Sequence, residues 1–213
     1  MTWFALLFAS ALGSEFDVLC EDLGLDARVR AELVETGRSY RYRREGIEPE
    51  DVEGTYEAGV SLRVIDGTPE DIWVQVQDCD AFVTYLPYVT GSTRSAYQTT
   101  ADGAVWDCAM ELTTKGFVTR YAVTTTLERS SGVATFVMVE GSGSVLRSAR
   151  GYWRTLPWPQ GEGRTLLVYV FESRAAWWVP RFAKRMAADR GLSEITHLVG
   201  RRVERARAAE SSP

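Results

Sequence analysis

The sequence is poor in the residues that most often bind metals. It contains a single histidine, His197, and three cysteines, Cys20, Cys79 and Cys108, none of which belongs to a C-x-x-C pair. A zinc site of the usual kind therefore lacks ligands. A catalytic triad built on histidine is also disfavoured, because His197 has no acid or nucleophile in register with it. We expect no metal ion, no cofactor and a structural role for His197.

An excess of positive charge is also missing. The 213 residues carry 29 acidic and 24 basic side chains, which gives a formal net charge of −5. Nucleic-acid-binding domains are usually basic, so we expect no nucleic-acid partner. With 45% hydrophobic residues, the chain is long enough to bury the core of one large domain.

The apolar run at the start of the chain is too short to span a bilayer. It covers residues 1–13 and stops before Glu15, whereas a transmembrane helix needs roughly 20 residues. The small residues in Ala9-Ser10-Ala11 and Ala11-Leu12-Gly13 suit a signal peptidase, so the run predicts a signal peptide and export to the periplasm or the medium. The alternative is a cytoplasmic protein in which this run packs as an N-terminal helix, since no Lys or Arg precedes it.

The segment after this run differs from the rest of the chain. Apolar residues at helical spacing predict two helices between residues 14 and 36, separated by Gly24 and ended by Gly37. The charged stretch from Arg38 to Gly54 predicts a polar connector with at most one short strand. The predicted domain division is a signal peptide (1–13), a helical N-terminal extension with its connector (14–54), a main domain (55–208) and a tail (209–213).

Alternating patterns dominate the middle of the chain. Apolar and polar residues alternate over residues 56–65, which is typical of a half-buried strand. Thr68-Pro69-Glu70-Asp71 then has the cap, the first-turn proline and the acidic residues of a helix start. A second short helical turn is predicted from Asp80 to Tyr85, and an antiparallel meander follows. The predicted strands are residues 56–65, 89–99, 104–112, 117–127, 133–140, 144–156 and 164–172.

The C-terminal region predicts one long helix, roughly from Ala176 to Arg207, because its apolar residues recur every three to four positions. The sheet has one dry face and this helix has one dry stripe, so wrapping the sheet around the helix buries both. The predicted fold class is therefore α+β, with a seven-stranded curved antiparallel sheet around a long C-terminal helix and two short helices after the first strand.

Short motifs occur along the chain in an order that is known from one superfamily. They are Thr68-Pro69-Glu70-Asp71-Ile72-Trp73, Tyr85-Leu86-Pro87-Tyr88-Val89, Gly151-Tyr152-Trp153-Arg154 and Trp178-Val179-Pro180. With these motifs, residues 56–207 resemble the START-like (SRPBCC) superfamily, which has the helix-grip fold. The chain is most similar to the coenzyme Q-binding and polyketide cyclase/dehydrase branch.

The resemblance implies that the protein binds a hydrophobic small molecule, such as a lipid or an isoprenoid quinone, in a cavity between the sheet and the C-terminal helix. Carriage, storage and transfer are all open as tasks. The alternative is an aromatase/cyclase-type enzyme that acts on a polyketide-like substrate in the same cavity. Such chemistry needs a positioned acid or base. The sequence offers no interior pair of carboxylates or histidines, so we assign no catalytic residue and favour a binding protein over an enzyme.

The candidate ligand-binding residues are mostly large and apolar, as ligand cavities usually are. Each of them could instead fill a solid core. The candidates are Phe82, Leu86, Trp106, Cys108, Met110, Tyr121, Val123, Phe136, Met138, Trp153, Tyr169, Trp178, Phe182 and Met186.

Three hydroxyls and two cysteines complete the expected site. Tyr121, Tyr169 and Thr119 are the candidates for a hydrogen bond to a quinone or headgroup oxygen, although buried hydroxyls usually find partners within the protein. In a helix-grip fold Cys79 and Cys108 would lie near each other. A disulfide between them can therefore form if the protein is exported, and two free thiols are expected if the protein is cytosolic.

The C-terminal helix and the tryptophans before it suggest a transient contact with a membrane surface. Basic residues outnumber acidic ones from Trp178 onward, and such a face can meet anionic lipid headgroups. Trp177 and Trp178 would suit the interface of a bilayer. The alternative is an ordinary solvated helix face, and no oligomeric state is predicted.

Overall fold

The structure is a computed structural model and describes residues 15–43, 55–114 and 117–210, with the backbone alone at 41–43, 55–57, 114 and 181–190. The predicted signal peptide, most of the polar connector and the end of the tail lie outside the described residues.

Helices occupy both ends of the described chain and strands fill its middle. In chain order the elements are α1 (residues 15–22), α2 (Ala27–Thr36), β1 (Arg38–Arg43), β2 (Thr55–Asp66), α3 (Pro69–Gln77), a 3₁₀ turn (Cys79–Ala81), α4 (Phe82–Tyr85), β3 (Val89–Thr99), β4 (Gly103–Thr114), β5 (Phe117–Glu128), β6 (Val133–Met138), β7 (Leu146–Pro157), β8 (Arg164–Ala175) and α5 (Arg181–Glu210).

All the strands in the described part of the chain belong to one antiparallel sheet in the order β1-β2-β8-β7-β6-β5-β4-β3. This sheet has eight strands, so the predicted count of seven is wrong. The additional strand is β1, which pairs with β2 from Arg38 opposite Arg63 to Arg43 opposite Ala58. It lies in the stretch that we predicted as a polar connector with room for one short strand, which we did not count as part of the sheet. Its alternating residues are arginines, serine and tyrosines, so the apolar half of the strand pattern is missing.

Helix α3 begins as its sequence predicts. The Thr68 hydroxyl oxygen accepts a hydrogen bond from the backbone N–H of Asp71 at 3.3 Å, and a carboxylate oxygen of Asp71 accepts one from the backbone N–H of Thr68 at 2.8 Å. Two N–H groups that the first helical turn leaves free are satisfied in this way. The same turn carries Pro69 at the first helical position.

Helix α5 begins at Arg181 and not at Ala176 as we predicted. The difference follows from Pro180, because a residue that precedes proline avoids the helical region of backbone space. Residues 177–179 form a turn and a bend instead, and the backbone N–H of Val179 donates to the carbonyl of Ala176 at 3.1 Å. Among the described residues no helix combines the length and the apolar composition needed to cross a membrane.

One face of the sheet encloses α3 and α5. The core on this side joins residues of β2, β4, β5, β6, β7 and β8 to Trp73 of α3 and Val199 of α5. Polar contacts between β2 and α5 fix the position of the helix. The hydroxyl oxygens of Ser61 and Thr196 lie 2.7 Å apart, and both residues are buried. A second contact is the ion pair from Arg63 to Glu204, at 2.9 Å.

The other face of the sheet is covered by the N-terminal helices. Leu19 of α1 and Leu33 of α2 are each 1% exposed and pack on Leu62, Leu166 and Trp158. Alternate residues of β2 therefore serve two cores, since Leu62 faces α2 while its neighbours Ser61 and Arg63 face α5. Residues 15–36 thus form a second layer behind the sheet, away from the side that encloses α5.

Candidate ligand cavity

A cavity of about 200 Å³ lies between the sheet and α5. Its walls come from β4, β5, β6, β7 and β8, with α4 and the turn after it on one side and α5 on the other. Among the described α5 side chains, Leu192 and Ile195 are the large ones that face it. The cavity therefore occupies the place that the sequence analysis predicted for a ligand.

Most of the candidate residues from the sequence line this cavity. They come from separate strands and from α4, and the alternation along each strand turns them to the same side of the sheet. The candidates in the lining are Phe82, Leu86, Trp106, Cys108, Met110, Tyr121, Val123, Phe136, Trp153 and Tyr169.

Four candidates are not among the described lining residues. Met138 is the last residue of β6 and packs beneath the β6–β7 loop, where its Cε lies 3.3 Å from the position that a Cβ on Gly143 would take. Trp178 is 50% exposed, because the chain turns there and α5 starts only after Pro180. Phe182 and Met186 lie in the stretch 181–190, whose side chains fall outside the description.

The sequence analysis missed several lining residues. Leu112 and Thr125 line the cavity and continue the alternation of Met110 and Val123, so extending the strand pattern by one step would have found them. Tyr88 lines it too, but this residue follows Pro87 in a turn. A turn has no periodic pattern, so the sequence gives no signal that the Tyr88 side chain faces inward.

Aromatic rings form one wall of the cavity. The rings of Trp153 and Tyr169 have centroids 4.2 Å apart, and Phe136 stacks at 5.8 Å from Tyr169 and at 6.2 Å from Phe171. Since β6, β7 and β8 are neighbours in the sheet, these rings stand side by side on one surface. Aromatic pairs at such distances are stabilising beyond the area that they bury, so ring contacts hold this largely apolar wall together.

Three tyrosine hydroxyls contribute to the polar character of the described lining, beside those of Thr119, Thr125 and Ser173. Burial raises the pKa of Tyr121 to about 12. Burial also raises the pKa of Tyr88 and Tyr169 well above their ordinary value of 10, and the nearby Tyr121 raises both further. All three phenols are consequently protonated at neutral pH and can donate a hydrogen bond.

The lining carries no charge in the part of the chain that the structure describes. Its polar members are hydroxyl-bearing side chains, and Asp, Glu, His, Lys and Arg are absent from it. The described ranges also contain no cluster of three side chains that could bind a metal ion.

A disulfide fixes one corner of the cavity. The structure joins Cys79 to Cys108, which ties the 3₁₀ turn after α3 to the middle of β4. Both cysteines are buried, and Cys108 belongs to the lining. The position of α3 and α4 relative to the sheet is thereby set by a covalent bond as well as by packing.

The cavity reaches the surface near the start of β5. Phe117 belongs to the lining and is 36% exposed. Val145, Leu146 and Val179 line the same end. Trp177 is 69% exposed and lies close by, because the backbone N–H of the preceding Ala176 donates to the Val145 carbonyl at 2.8 Å. We call this end of the cavity the mouth.

No family model matches the chain, and no curated protein matches its sequence. Solved structures share its fold. The Zhui aromatase/cyclase from Streptomyces sp. R1128 has a TM-score of 0.59 at 12% identity and covers 74% of this chain and 99% of its own. A START superfamily protein from Mycobacterium smegmatis has a TM-score of 0.56 at 16% identity, with coverages of 70% and 98%. A fragment of a STAR-related lipid transfer protein from Xanthomonas axonopodis has a TM-score of 0.53 at 12% identity, with coverages of 79% and 99%.

These likenesses confirm the fold that the motifs predicted. The chain has the START-like (SRPBCC) α+β fold, with a large antiparallel sheet and a C-terminal helix.

Proposed function

We propose that this protein binds a hydrophobic small molecule in the cavity between the sheet and α5, and that it carries, stores or transfers that molecule. The aromatic-lined cavity, whose described lining residues carry no charge, supports this function more than any other observation does. Protein interiors are normally packed as densely as organic crystals. An apolar space of about 200 Å³ that opens to the surface is therefore an exception to this dense packing.

The volume limits what can enter. An engineered apolar cavity of roughly 150 Å³ binds benzene, so about 200 Å³ accommodates one substituted ring. A ring that buries about 200 Å² of apolar surface gains roughly 5 kcal/mol at about 25 cal/mol per Å², before the costs of association. A longer chain attached to the ring would pass Phe117 and leave through the mouth. An isoprenoid quinone has this shape, with its ring inside and its tail at the surface.

A transient contact with a membrane surface accompanies this function in our proposal. Trp177, Trp178, Phe117 and Val118 are exposed at or beside the mouth. Tryptophan is enriched where a protein meets the interface of a bilayer. A mouth with exposed aromatic residues can receive an apolar ligand from lipid without passing it through water.

The disulfide favours an exported protein. Buried disulfides persist in oxidising compartments and are rare in the cytosol. The bond between Cys79 and Cys108 therefore supports export to the periplasm or the medium, as we proposed from the apolar run at residues 1–13.

A cyclase-type reaction has less support from the cavity. Ring closure by aldol chemistry needs a group that moves a proton near neutral pH. The titratable groups among the described lining residues are tyrosines, and the pKa of Tyr88, Tyr121 and Tyr169 is raised by burial. Phenols of this kind are poor acids and bases at neutral pH, so a binding role fits the lining better.

The proposed function is tested by filling the cavity. Thr119 is a half-buried lining residue, while the adjacent Val118 is outside the lining and 39% exposed. We expect Thr119→Trp to weaken the binding of N-phenyl-1-naphthylamine, a neutral dye that fluoresces in apolar surroundings, at least tenfold. The matched control Val118→Trp should bind like the wild type, and circular dichroism should show both variants folded. Absence of dye binding to the wild type, or equal losses in the two variants, would contradict the proposal.

A further inference from the structure

The disulfide between Cys79 and Cys108 holds a segment of the chain that forms one wall of the cavity. This segment, residues 79–88, consists of the 3₁₀ turn, α4 and the turn after it, and we call it the α4 segment. Its members of the cavity lining are Phe82, Leu86 and Tyr88. Because Cys108 lies in the middle of β4 and also belongs to the lining, one covalent bond joins this wall to the sheet.

The other contacts of the α4 segment lie mostly near the surface. None of the residues of α4 is buried. The backbone N–H of Val83 donates to the Ser92 hydroxyl at 3.1 Å. The Asp80 carboxylate accepts from the backbone N–H of Arg94 at 2.7 Å, and both hydrogen bonds are exposed. Segments with few buried side chains and exposed hydrogen bonds open at a lower free energy than the core, so we expect this wall to open before the sheet unfolds.

Arg202 provides a contact between the α4 segment and α5. Its guanidinium lies 4.8 Å from the ring centroid of Tyr85 and pairs at 2.7 Å with Asp78, the residue before the segment. The Arg202 side chain is 29% exposed and that of Asp78 is 40% exposed. Partly exposed ion pairs contribute little to stability, whereas a disulfide limits the separation of its two residues in every state of the chain. The bond is therefore the strongest constraint on this wall.

The buried position of the sulfur atoms couples their chemistry to the opening of the wall. Cys79 and Cys108 are 0% and 2% exposed, so a reductant cannot reach the bond while the wall is closed. Phe82 and Tyr85 pack against the core that contains both cysteines, so opening of the α4 segment uncovers the bond. A ligand in the cavity needs the same wall closed. Ligand binding and reduction therefore oppose each other, and such coupling acts equally in both directions.

We propose that the Cys79–Cys108 bond is a redox switch of the cavity: reduction by a dithiol frees the α4 segment and speeds the release of the ligand, and a bound ligand protects the bond. The inference rests on the proposed function and adds its regulation. One thiolate of the dithiol attacks a sulfur atom of the bond and forms a mixed disulfide, which the second thiolate resolves. Two electrons and two protons pass to the protein, so both cysteines become thiols and the dithiol becomes a disulfide. The bond persists in an oxidising compartment, where a dithiol is the signal for release.

The first test measures how a ligand changes the rate of reduction. The full chain with Cys20→Ala is reduced by dithiothreitol at pH 8, and the new thiols are trapped with iodoacetamide and counted by mass spectrometry. Cys20 is the free cysteine, so each new thiol of this variant comes from the bond. With N-phenyl-1-naphthylamine at ten times its Kd, we expect reduction to slow about tenfold, since the ligand lowers the open population by about that factor.

A variant in the layer behind the sheet shows whether the opening is local. Leu33 packs in that layer, so Leu33→Ala lowers the stability of the whole protein and leaves the α4 segment unaltered. In the Cys20→Ala background it should keep the rate of reduction within about twofold, because local opening does not require global unfolding. A rate that rises in proportion to the global unfolding equilibrium would overturn the proposal.

The second test measures what the bond contributes to binding. The reduced wild type and the double variant Cys79→Ala/Cys108→Ala should each release the dye about threefold faster or more in stopped-flow dilution, because the closed wall is then populated for less of the time. Cys20→Ala is the matched control, since it removes a buried cysteine outside the lining, and it should release the dye at the wild-type rate. Circular dichroism checks that the variants fold. The first test needs no double variant, so it decides the proposal if that variant unfolds.

The outcomes distinguish this inference from the proposed function. If the oxidised and reduced forms release the dye at the same rate, or if the dye does not slow reduction, the bond is only structural and the switch is wrong, while the cavity still binds apolar molecules. If the oxidised wild type does not bind the dye, the proposed function is wrong as well.

Discussion

His197 illustrates how one residue on α5 links stability to pH. Arg63 of β2 donates a hydrogen bond to Nδ1 of His197 and pairs with Glu204 at 2.9 and 3.1 Å. A guanidinium can only donate, so Nδ1 accepts and the ring is neutral. Burial lowers the pKa of His197, the positive charges of Arg63, Arg38 and Arg201 lower it further, and Glu204 opposes them.

This arrangement predicts a loss of stability in mild acid. The folded protein holds the pKa of His197 below its ordinary value of 6.5, so below pH 6.5 the unfolded chain binds a proton that the folded chain resists. The free energy of unfolding contributed by His197 is complete above pH 6.5 and is lost as the pH falls through the lowered pKa. Urea unfolding at pH 7.5 and 5.5 should show this loss in the wild type. It should be smaller in His197→Gln, whose amide oxygen can still accept from Arg63.

The single histidine makes the assignment clear. His197 is the only histidine of the chain, and histidine is the side chain whose ordinary pKa lies in this range. Parallel losses of stability in the wild type and in His197→Gln would show that other groups cause the pH dependence.

At the same scale, strand alternation predicted much of the cavity lining from the sequence. In the structure Trp106 and Cys108 of β4 line the cavity together with Tyr121 of β5, because each strand presents alternate residues to one face. Strand alternation could not predict Tyr88, since its orientation depends on how the turn after α4 packs against distant strands. Its unpartnered hydroxyl became visible only in three dimensions.

At the scale of elements, the N-terminal helices provide a layer that is independent of the cavity. Leu33 of α2 is 1% exposed and packs on the face of the sheet that turns away from α5. Leu33→Ala should lower the free energy of unfolding by about 2–4 kcal/mol, the usual cost of such a truncation in a core. Its affinity for the neutral dye should match that of the wild type, since no described residue of α1 or α2 lines the cavity.

Denaturant unfolding and dye titration of the same sample check this prediction. A large change in affinity at unchanged fold would instead show that α1 and α2 control the shape of the cavity through the sheet.

The differences between the predicted and the observed elements have local causes. The sequence of the predicted connector did not indicate β1, because its arginines and tyrosines give no apolar period. Charged side chains nevertheless suit an edge strand, since they discourage pairing with other chains. The start of α5 was placed too early because Trp178 fits the apolar spacing of the helix. The restriction that Pro180 places on Val179 outweighs that spacing.

At the scale of the whole molecule, the sheet separates a layer that stabilises the fold from the layer that contains the cavity. The face toward α1 and α2 is a packed core, while the face toward α5 combines a core with a cavity. The sequence predicted the sheet and the helix from the periods of their apolar residues, two in the strands and three to four in the helix. It could not show whether the space between them is filled, because that depends on how closely side chains of the helix and the sheet pack in three dimensions.

The exposed tryptophans beside the mouth predict that a membrane surface speeds the transfer of a ligand to the protein. Trp177 and Trp178 are 69% and 50% exposed and lie between the lining residues Ala175 and Val179. Replacing both with alanine should slow the transfer of N-phenyl-1-naphthylamine from phosphatidylglycerol-containing vesicles to the protein several-fold, because fewer interfacial side chains hold the mouth at the bilayer. The equilibrium affinity for the dye in buffer should stay within about twofold of the wild type, since neither ring lines the cavity.

Val74→Ala is the control, because Val74 is 55% exposed on α3, outside the lining. If the double variant and the control transfer the dye at the wild-type rate, the ligand reaches the cavity through water, and the tryptophans have no part in its uptake.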